Sequence, residues 1–473
     1  MRLAPVLVAS LVVGALPGRA TAQPEAAAKA PPEIAATAQS QAAAKPGPAT
    51  VAAAPDSIAA EEAVPLRIEP GLEDRRQRYR RSAASHVAMV PAYVLRFPFQ
   101  VINYPIENWL VHKEPGALSV YARQTWARLR FGGVAGRIGG LGSGSGTGAG
   151  LSYRLPLVLT LGKPLTVSGS WTYLLYEQYA VQLDSLDIGP VPTSLRVRYG
   201  DRPQEDFWGL GPRSNEGDRS TYRLEETVAT WTLVPPLGRG WVLPVWIGAS
   251  RSDLSPGRDP DFPDSQDIFD PAVYEGLTGR YEFLEFGTGL VFDTRDVKTY
   301  ARRGRYLTLG VQHAEGIRDT PSEFTKFTLE AQQFLPLPGY RRALALRFRT
   351  VLTDNRAQGH SVPVFRLESV GSSRTVRGYQ TFRFTEEDAL VGSVEYRFPV
   401  WTIEPQSLMA LDGALFFDFG TALRDMGRVQ QRDLRSGGGF GLRIVSPRGS
   451  IGRMDVAFTP EGVGLHFTLH GGF

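Results

Sequence analysis

The chain has 473 residues, no cysteine, 51 glycines, 10% aromatic residues and a formal net charge of +4. The missing thiols exclude disulfides, thiolate metal sites and a cysteine-linked lipid anchor. So small a charge, without a long basic block, argues against nucleic acid as a partner. Beyond the N-terminus no run of about 20 apolar residues offers a transmembrane helix.

The chain opens with MRLAPVLVASLVVGALPGRATAQ. Arg2 gives a positive start, residues 3–16 an apolar core, and Ala20-Thr21-Ala22 a small-residue cleavage site, so residues 1–22 read as a secretory signal. Residues 23–82 begin as an Ala-, Pro- and Gln-rich tract that buries too little apolar surface to offset chain entropy. They are read as a disordered periplasmic leader that includes the basic stretch RRQRYRR. In residues 83–115, Pro91, Pro98 and Pro105 interrupt helical hydrogen bonding at regular intervals. Short amphipathic helical pieces are predicted there, covering the inner leaflet or the mouth of a barrel.

From about residue 130 onward the periodicity becomes two. The last segment is clearest, with Val463, Leu465, Phe467, Leu469 and Phe473 on one face and Gly464, His466, Thr468 and His470 on the other. Leu415, Phe417 and Phe419 alternate likewise with Ala414, Phe416 and Asp418, and Val394, Tyr396 and Phe398 with Ser393, Glu395 and Arg397. Such alternation also fits a water-soluble sandwich. Charges recurring on the less apolar face suit a wet lumen, and a closed barrel leaves no unpaired strand edge in lipid. The predicted fold is all-β, a transmembrane antiparallel β-barrel of about 16 strands over residues 130–473, in the cell outer membrane. The polar insertion 252–275 is read as an extracellular loop.

Catalytic and metal motifs are missing from this pattern. The run GGLGSGSGTGAG satisfies no phosphate-loop or nucleophile-elbow spacing and is read as wall glycine in an easily bent or opened strand. Among six histidines only His466 and His470 are suitably spaced, and in a strand they lie about 13 Å apart, too far to share an ion. No cofactor is expected, and the chain is read as a non-enzyme.

The segment RLESVGSSRTVRGYQTFRF holds Val376, Arg377, Gly378 and Tyr379, and ALFFDFGTA holds Phe416, Asp418 and Gly420. These resemble the V-R-G-[F/Y] loop tip and the F-x-D-x-G strand of the BamA/TamA family of outer-membrane assembly and secretion proteins, the bacterial surface antigen family. The resemblance implies that a long extracellular loop folds back into the lumen and that Arg377 pairs there with Asp418. Three further segments fit in family order: LVFDTRD with RGRYL, where arginine replaces the usual proline; GFGLRI through SPRG to Arg453-Met454-Asp455; and FWGLGPRS. No POTRA pattern precedes the barrel region, so the chain resembles a barrel-only type.

Two functions follow as expectations. The chain is an assembly or translocation component working with a periplasmic or POTRA-bearing partner, its seam joining the glycine-rich first strand to the last. Alternatively it is a structural or pore-forming barrel without insertase activity. Outer-membrane lipids surround it either way. The alternating terminal residues Leu465, Phe467, Leu469 and Phe473 resemble the signal by which the outer-membrane assembly machinery recognises a client.

Overall fold

The computed structural model describes residues 134–469, except 143, 156–164, 185, 187, 190, 358, 405–408 and 447–448. The signal, the leader, the proline-punctuated segment, His470 and Phe473 lie outside the described residues. The first strands are β1 (Val134–Gly139), β2 (Gly148–Arg154), β3 (Leu165–Thr172), β4 (Glu177–Leu183), β5 (Thr193–Phe207) and β6 (Ser220–Leu233). There follow β7 (Pro236–Gly238), β8 (Trp241–Val242), β9 (Val245–Pro256), β10 (Gly279–Asp293), β11 (Gly304–Gly316), β12 (Glu323–Pro336) and β13 (Ala343–Asn355). Last come β14 (Glu368–Val370), β15 (Phe384–Glu386), β16 (Asp388–Glu404), β17 (Met409–Leu423), β18 (Arg435–Ser446), β19 (Gly449–Thr459) and β20 (Gly462–Leu469).

Eighteen of these strands form one sheet, and β14 and β15 pair separately. The short β7–β8 hairpin only extends the β6–β9 turn, which leaves sixteen strands in an antiparallel meander. The Cα atoms of β1 and β20 come within 8 Å, but among the described residues no ladder joins them. The longest connections, 208–219, 257–278 and 356–387, all leave from one end of the wall, the loop end. The other, where β1 begins and β20 finishes, is a turn end.

Burial decides between barrel and soluble sandwich. Glu395, Asp412, Asp418, Arg443 and Asp455 are at most 2% exposed, while Leu415, Phe417, Val463, Leu465 and Phe467 are 37–70% exposed. In water that distribution would be backwards, since charges are almost never buried unpaired and large apolar patches are not left open. In lipid it is the stable arrangement, with apolar side chains meeting acyl chains and charges satisfying one another inside.

Two details depart from the sequence reading. Residues 252–256 belong to β9, not to a loop, because Ser252 and Leu254 continue its buried inner face and pair in register with β6 and β10. Polar Ser252 and Asp253 concealed the strand; the loop proper starts at Gly257. The glycine run is mainly the β1–β2 connection and not a strand. There Ser145 Oγ accepts from the Leu141 N–H at 2.8 Å and the Gly142 N–H at 3.0 Å, closing the turn. Gly148 and Gly150 lie in β2, where a Cβ on Gly148 would stand 1.9 Å from the Trp171 carbonyl oxygen.

Candidate functional site

The connection between β13 and β16 is the longest loop among the described residues and turns into the lumen. Its first limb lies on the wall formed by β9 to β13. There Arg366 Nη2 donates to Ser250 Oγ at 2.6 Å and to Glu285 Oε1 at 3.0 Å, and Glu368 receives Lys326 at 2.7 Å and Arg349 at 3.1 Å. The tip then crosses to β16–β20.

Arg377 is 3% exposed and grips Asp418 in bidentate fashion, Nε to Oδ2 at 2.7 Å and Nη2 to Oδ1 at 2.8 Å. The Arg377 backbone N–H adds a third bond to Oδ2 at 3.2 Å, and Ser393 Oγ donates to Oδ1 at 2.5 Å. The Phe416 ring centroid lies 3.5 Å from the guanidinium carbon. A Cβ on Gly420 would come within 3.1 Å of Val376 Cγ2. The F-x-D-x-G spacing therefore puts three residues on one lumen face of β17, where one supplies a stacking ring, one a carboxylate and one the room for the loop.

The other tip residues bind by shape. Gly378 has φ +100, which disfavours other residues, and a Cβ there would meet Thr459 Cγ2 at 2.5 Å. Its N–H donates to His466 Nε2 at 3.0 Å, so the loop also holds the terminal strand. Val376 and Tyr379 join Val370, Phe384, Ala389, Val391 and Ala422 in a small apolar core. Gly464 of β20 faces Gly378 so closely that a Cβ would lie 2.7 Å from the Gly378 Cα. Gly464→Val is therefore expected to unseat the tip at a cost of about 1–3 kcal/mol, because rigid backbone and not a flexible side chain would have to yield. The check is protease cleavage within the loop, which should rise in the variant at unchanged barrel content.

The structure adds residues that alternation placed on the inner face without disclosing their partners. Glu395 accepts Arg377 Nη1 at 2.8 Å, Arg397 Nε at 2.8 Å and Arg443 Nη2 at 3.0 Å. Arg443 also meets Asp455 at 2.5 Å, and Arg453 lies 3.5 Å from that same carboxylate. Arginines and carboxylates thus alternate through a buried network, and the Coulomb attraction in so dry a place offsets the cost of removing each charge from water only while every member is present.

That network also reaches the turn end. Residues 294–303, between β10 and β11, fold inward. Asp293 clamps Arg295 through two side-chain bonds of 2.9 and 2.8 Å, and Asp296 Oδ1 accepts the N–H groups of Val297 at 2.9 Å and Arg302 at 3.0 Å. The two aspartates of the D-T-R-D segment therefore shape this turn. It delivers Ala301, whose carbonyl accepts Arg397 Nη1 at 2.6 Å, and Tyr300, which packs on Ala410 and Val445. Arg302 and Arg341 both hold Asp412, the former at 3.1 Å. Loop and turn thus enter from opposite ends and converge on Glu395.

At the loop end FWGLGPRS caps the plug. The Gly211 N–H donates to the Thr385 carbonyl at 2.9 Å, Arg213 meets Asp433 at 2.8 Å, and Arg383 bridges Ser214 and Glu461 with bonds of 2.8 and 2.9 Å. Apart from residues 447–448, which lie outside the described residues, the segments of the sequence resemblance therefore occupy the loop, the cap, the turn and the strands that face them. Of the terminal residues, Leu465 and Phe467 point outward, 70% and 66% exposed, and β20 finishes at Leu469.

The Omp85 superfamily domain matches residues 132–469, the whole of this wall and its plug. The chain belongs to the Omp85 superfamily. Solved structures agree in fold with this Omp85 barrel. BamA from Haemophilus ducreyi lacking POTRA domains 1-3 is 15% identical with a TM-score of 0.52, over 71% of this chain and 68% of that one. CdiB from Escherichia coli is 13% identical with a TM-score of 0.50, over 72% of this chain and 62% of that one, so less than two thirds of the CdiB length is spanned. No curated protein matches this Omp85 chain in sequence.

Proposed function

We propose that this Omp85 barrel resides in the outer membrane and assists insertion or translocation of protein or lipid, with a periplasmic or POTRA-bearing partner supplying client capture. The turn end then faces the periplasm and the loop end the exterior. The observation that carries the reading is the lumen. A loop from one side and a turn from the other meet on Glu395, while β1 and β20 approach without a ladder among the described residues. A path for clients through the centre would require dismantling a buried ionic network; a path at the wall would not. This reading assigns the protein no covalent chemistry. It also makes the chain a client of the assembly machinery, through Leu465, Phe467, Leu469 and Phe473.

The test reconstitutes the full chain in liposomes and follows folding of a small unfolded barrel client by its heat-modifiable mobility. Faster client folding than in empty liposomes is the expected result, strengthened by a co-purifying periplasmic partner. No acceleration, with or without such a partner, would leave the structural-barrel reading as the better one.

A further inference from the structure

The outer surface of the wall carries a charged patch that neither the plug nor the seam uses. On β9, odd positions face outward; Val245 and Ile247 are exposed apolar residues near the turn end, followed by Arg251 and Asp253 near the loop end. On β10, Arg280 stands directly across from Asp253, and Glu282 across from Arg251. Asp253 receives two guanidiniums at once, Arg251 Nε at 3.0 Å and Arg280 Nε at 2.6 Å. Glu282 receives Arg318 at 2.8 Å from the β11–β12 loop. Arg251, Arg280 and Arg318 thus share Asp253 and Glu282, while Glu225, across from Asp253 on β6, is held together with Asp201 by Arg223. Both Asp253 bonds use Nε, and the Arg251 and Arg280 side chains are 48% and 56% exposed.

Through β6, the register sets Arg251 in one row with Tyr199 of β5, by way of Thr227. Trp171, Tyr179 and Tyr199 form an outward aromatic cluster, with Trp171 Nε1 donating to Tyr179 Oη at 2.9 Å and Tyr199 Oη to Glu225 at 3.0 Å. Amphipathic rings of this kind settle where acyl chains give way to polar headgroups. Along the same face, Leu195, Val197, Trp231, Ile247 and Phe286 make the apolar band below.

We infer that Arg251, Arg280 and Arg318, splinted by Asp253 and Glu282, form a binding site for the phosphate of a phosphorylated glycolipid in the outer leaflet. A guanidinium pair held side by side by one carboxylate is preorganised for charge-assisted, forked bonds to phosphate oxygens. Carboxylates and tyrosine hydroxyls around it accept hydrogen bonds from sugar hydroxyls, which favours a glycolipid over a simple phosphodiester lipid. The inference rests on the proposed outer-membrane placement, with the loop end outward.

The experiment is native mass spectrometry of the folded full chain in detergent, titrated separately with diphosphoryl lipid A, its monophosphoryl form and phosphatidylglycerol. Diphosphoryl lipid A is expected to be retained most strongly. R251Q/R280Q is expected to weaken that retention roughly tenfold, as loss of about 1.4 kcal/mol of charge-assisted bonding requires. Arg428→Gln, at an 88% exposed loop position, should leave retention unchanged. Phosphatidylglycerol held as tightly as lipid A, or equal retention by wild type and R251Q/R280Q, would overturn the inference. The comparison of lipids on the unaltered chain decides even if the variant fails to fold. Binding in detergent does not depend on where the protein resides; density-gradient fractionation of cell membranes tests that placement separately.

Discussion

Replacing Asp418 with alanine is expected to free the loop tip from the lumen and to cost about 3–5 kcal/mol, because it strands a buried guanidinium. Arg377 would lose its bidentate partner, its backbone N–H would lose an acceptor, and Ser393 would lose the oxygen its hydroxyl serves. Asp418→Asn keeps the shape and removes only the charge, so a smaller loss of about 1.5–3 kcal/mol is expected. Urea unfolding followed by heat-modifiable mobility gives the stability, and protease access to the loop gives the seating. A charge swap is expected not to rescue. In Arg377→Glu with Asp418→Arg, the new glutamate would face Glu395 and Asp455, which stand 2.8 and 3.7 Å from Arg377 Nη1. Full recovery in the swap would mean that Arg377 and Asp418 act as an isolated pair.

The second large effect belongs to Glu395. Its removal should disturb both ends of the lumen at once, since its carboxylate holds Arg377 from the loop, Arg443 from the wall, and Arg397, which in turn holds the Ala301 carbonyl of the inward turn. Glu395→Ala is expected to cost at least as much as Asp418→Ala, about 3–5 kcal/mol, and to expose both the loop and residues 294–303 to protease. Ser393→Ala, one inward position earlier on β16, should loosen only the loop. A double-mutant cycle between Glu395 and Ala301 is uninformative, since the latter acts through its backbone. Arg397→Met is the better partner, and its coupling to Glu395→Ala should exceed about 1 kcal/mol. Strictly additive losses would show that loop and turn are anchored independently.

How much of this was legible beforehand follows from what each signal encodes. Alternation alone marks which residues share a face, so Ser393, Glu395 and Arg397 could be placed inward on β16 without the structure. It does not say which strand lies opposite or in what register. That Asp418 stands across from Ser393, and Phe416 across from Glu395, is a property of the β16–β17 ladder. The Arg377–Asp418 contact could be anticipated only through the resemblance of two distant segments, because nothing local to either one specifies the other. The reach of residues 294–303 under the lumen had no sequence signal beyond the two aspartates that shape the turn. Polarity misled at residues 252–256, where Asp253 faces outward among charged side chains and so resembles a loop residue although its backbone continues the ladder. The glycine run misled in the opposite sense. Its weak packing suggested an easily opened strand, whereas most of it is hairpin connection and only Gly148 and Gly150 serve β2, where neighbouring atoms exclude a side chain.

The seated loop has a further consequence for the terminal strand. Gly378 donates to His466 on β20, whose other edge has no ladder to β1 among the described residues. Loop position and strand position are thus coupled by this contact, by the close approach of Gly378 to Gly464, and by Arg383, which holds Glu461 just before β20. Release of the loop should therefore loosen β20 as well as open the lumen.

Conductance measures the central claim, a lumen closed from both ends by one ionic network, most directly. Full-length protein in planar bilayers should be electrically quiet, and Asp418→Ala should show large, long-lived openings at the same protein density. A wild type that conducts steadily, with a level unchanged by Asp418→Ala, would contradict the account.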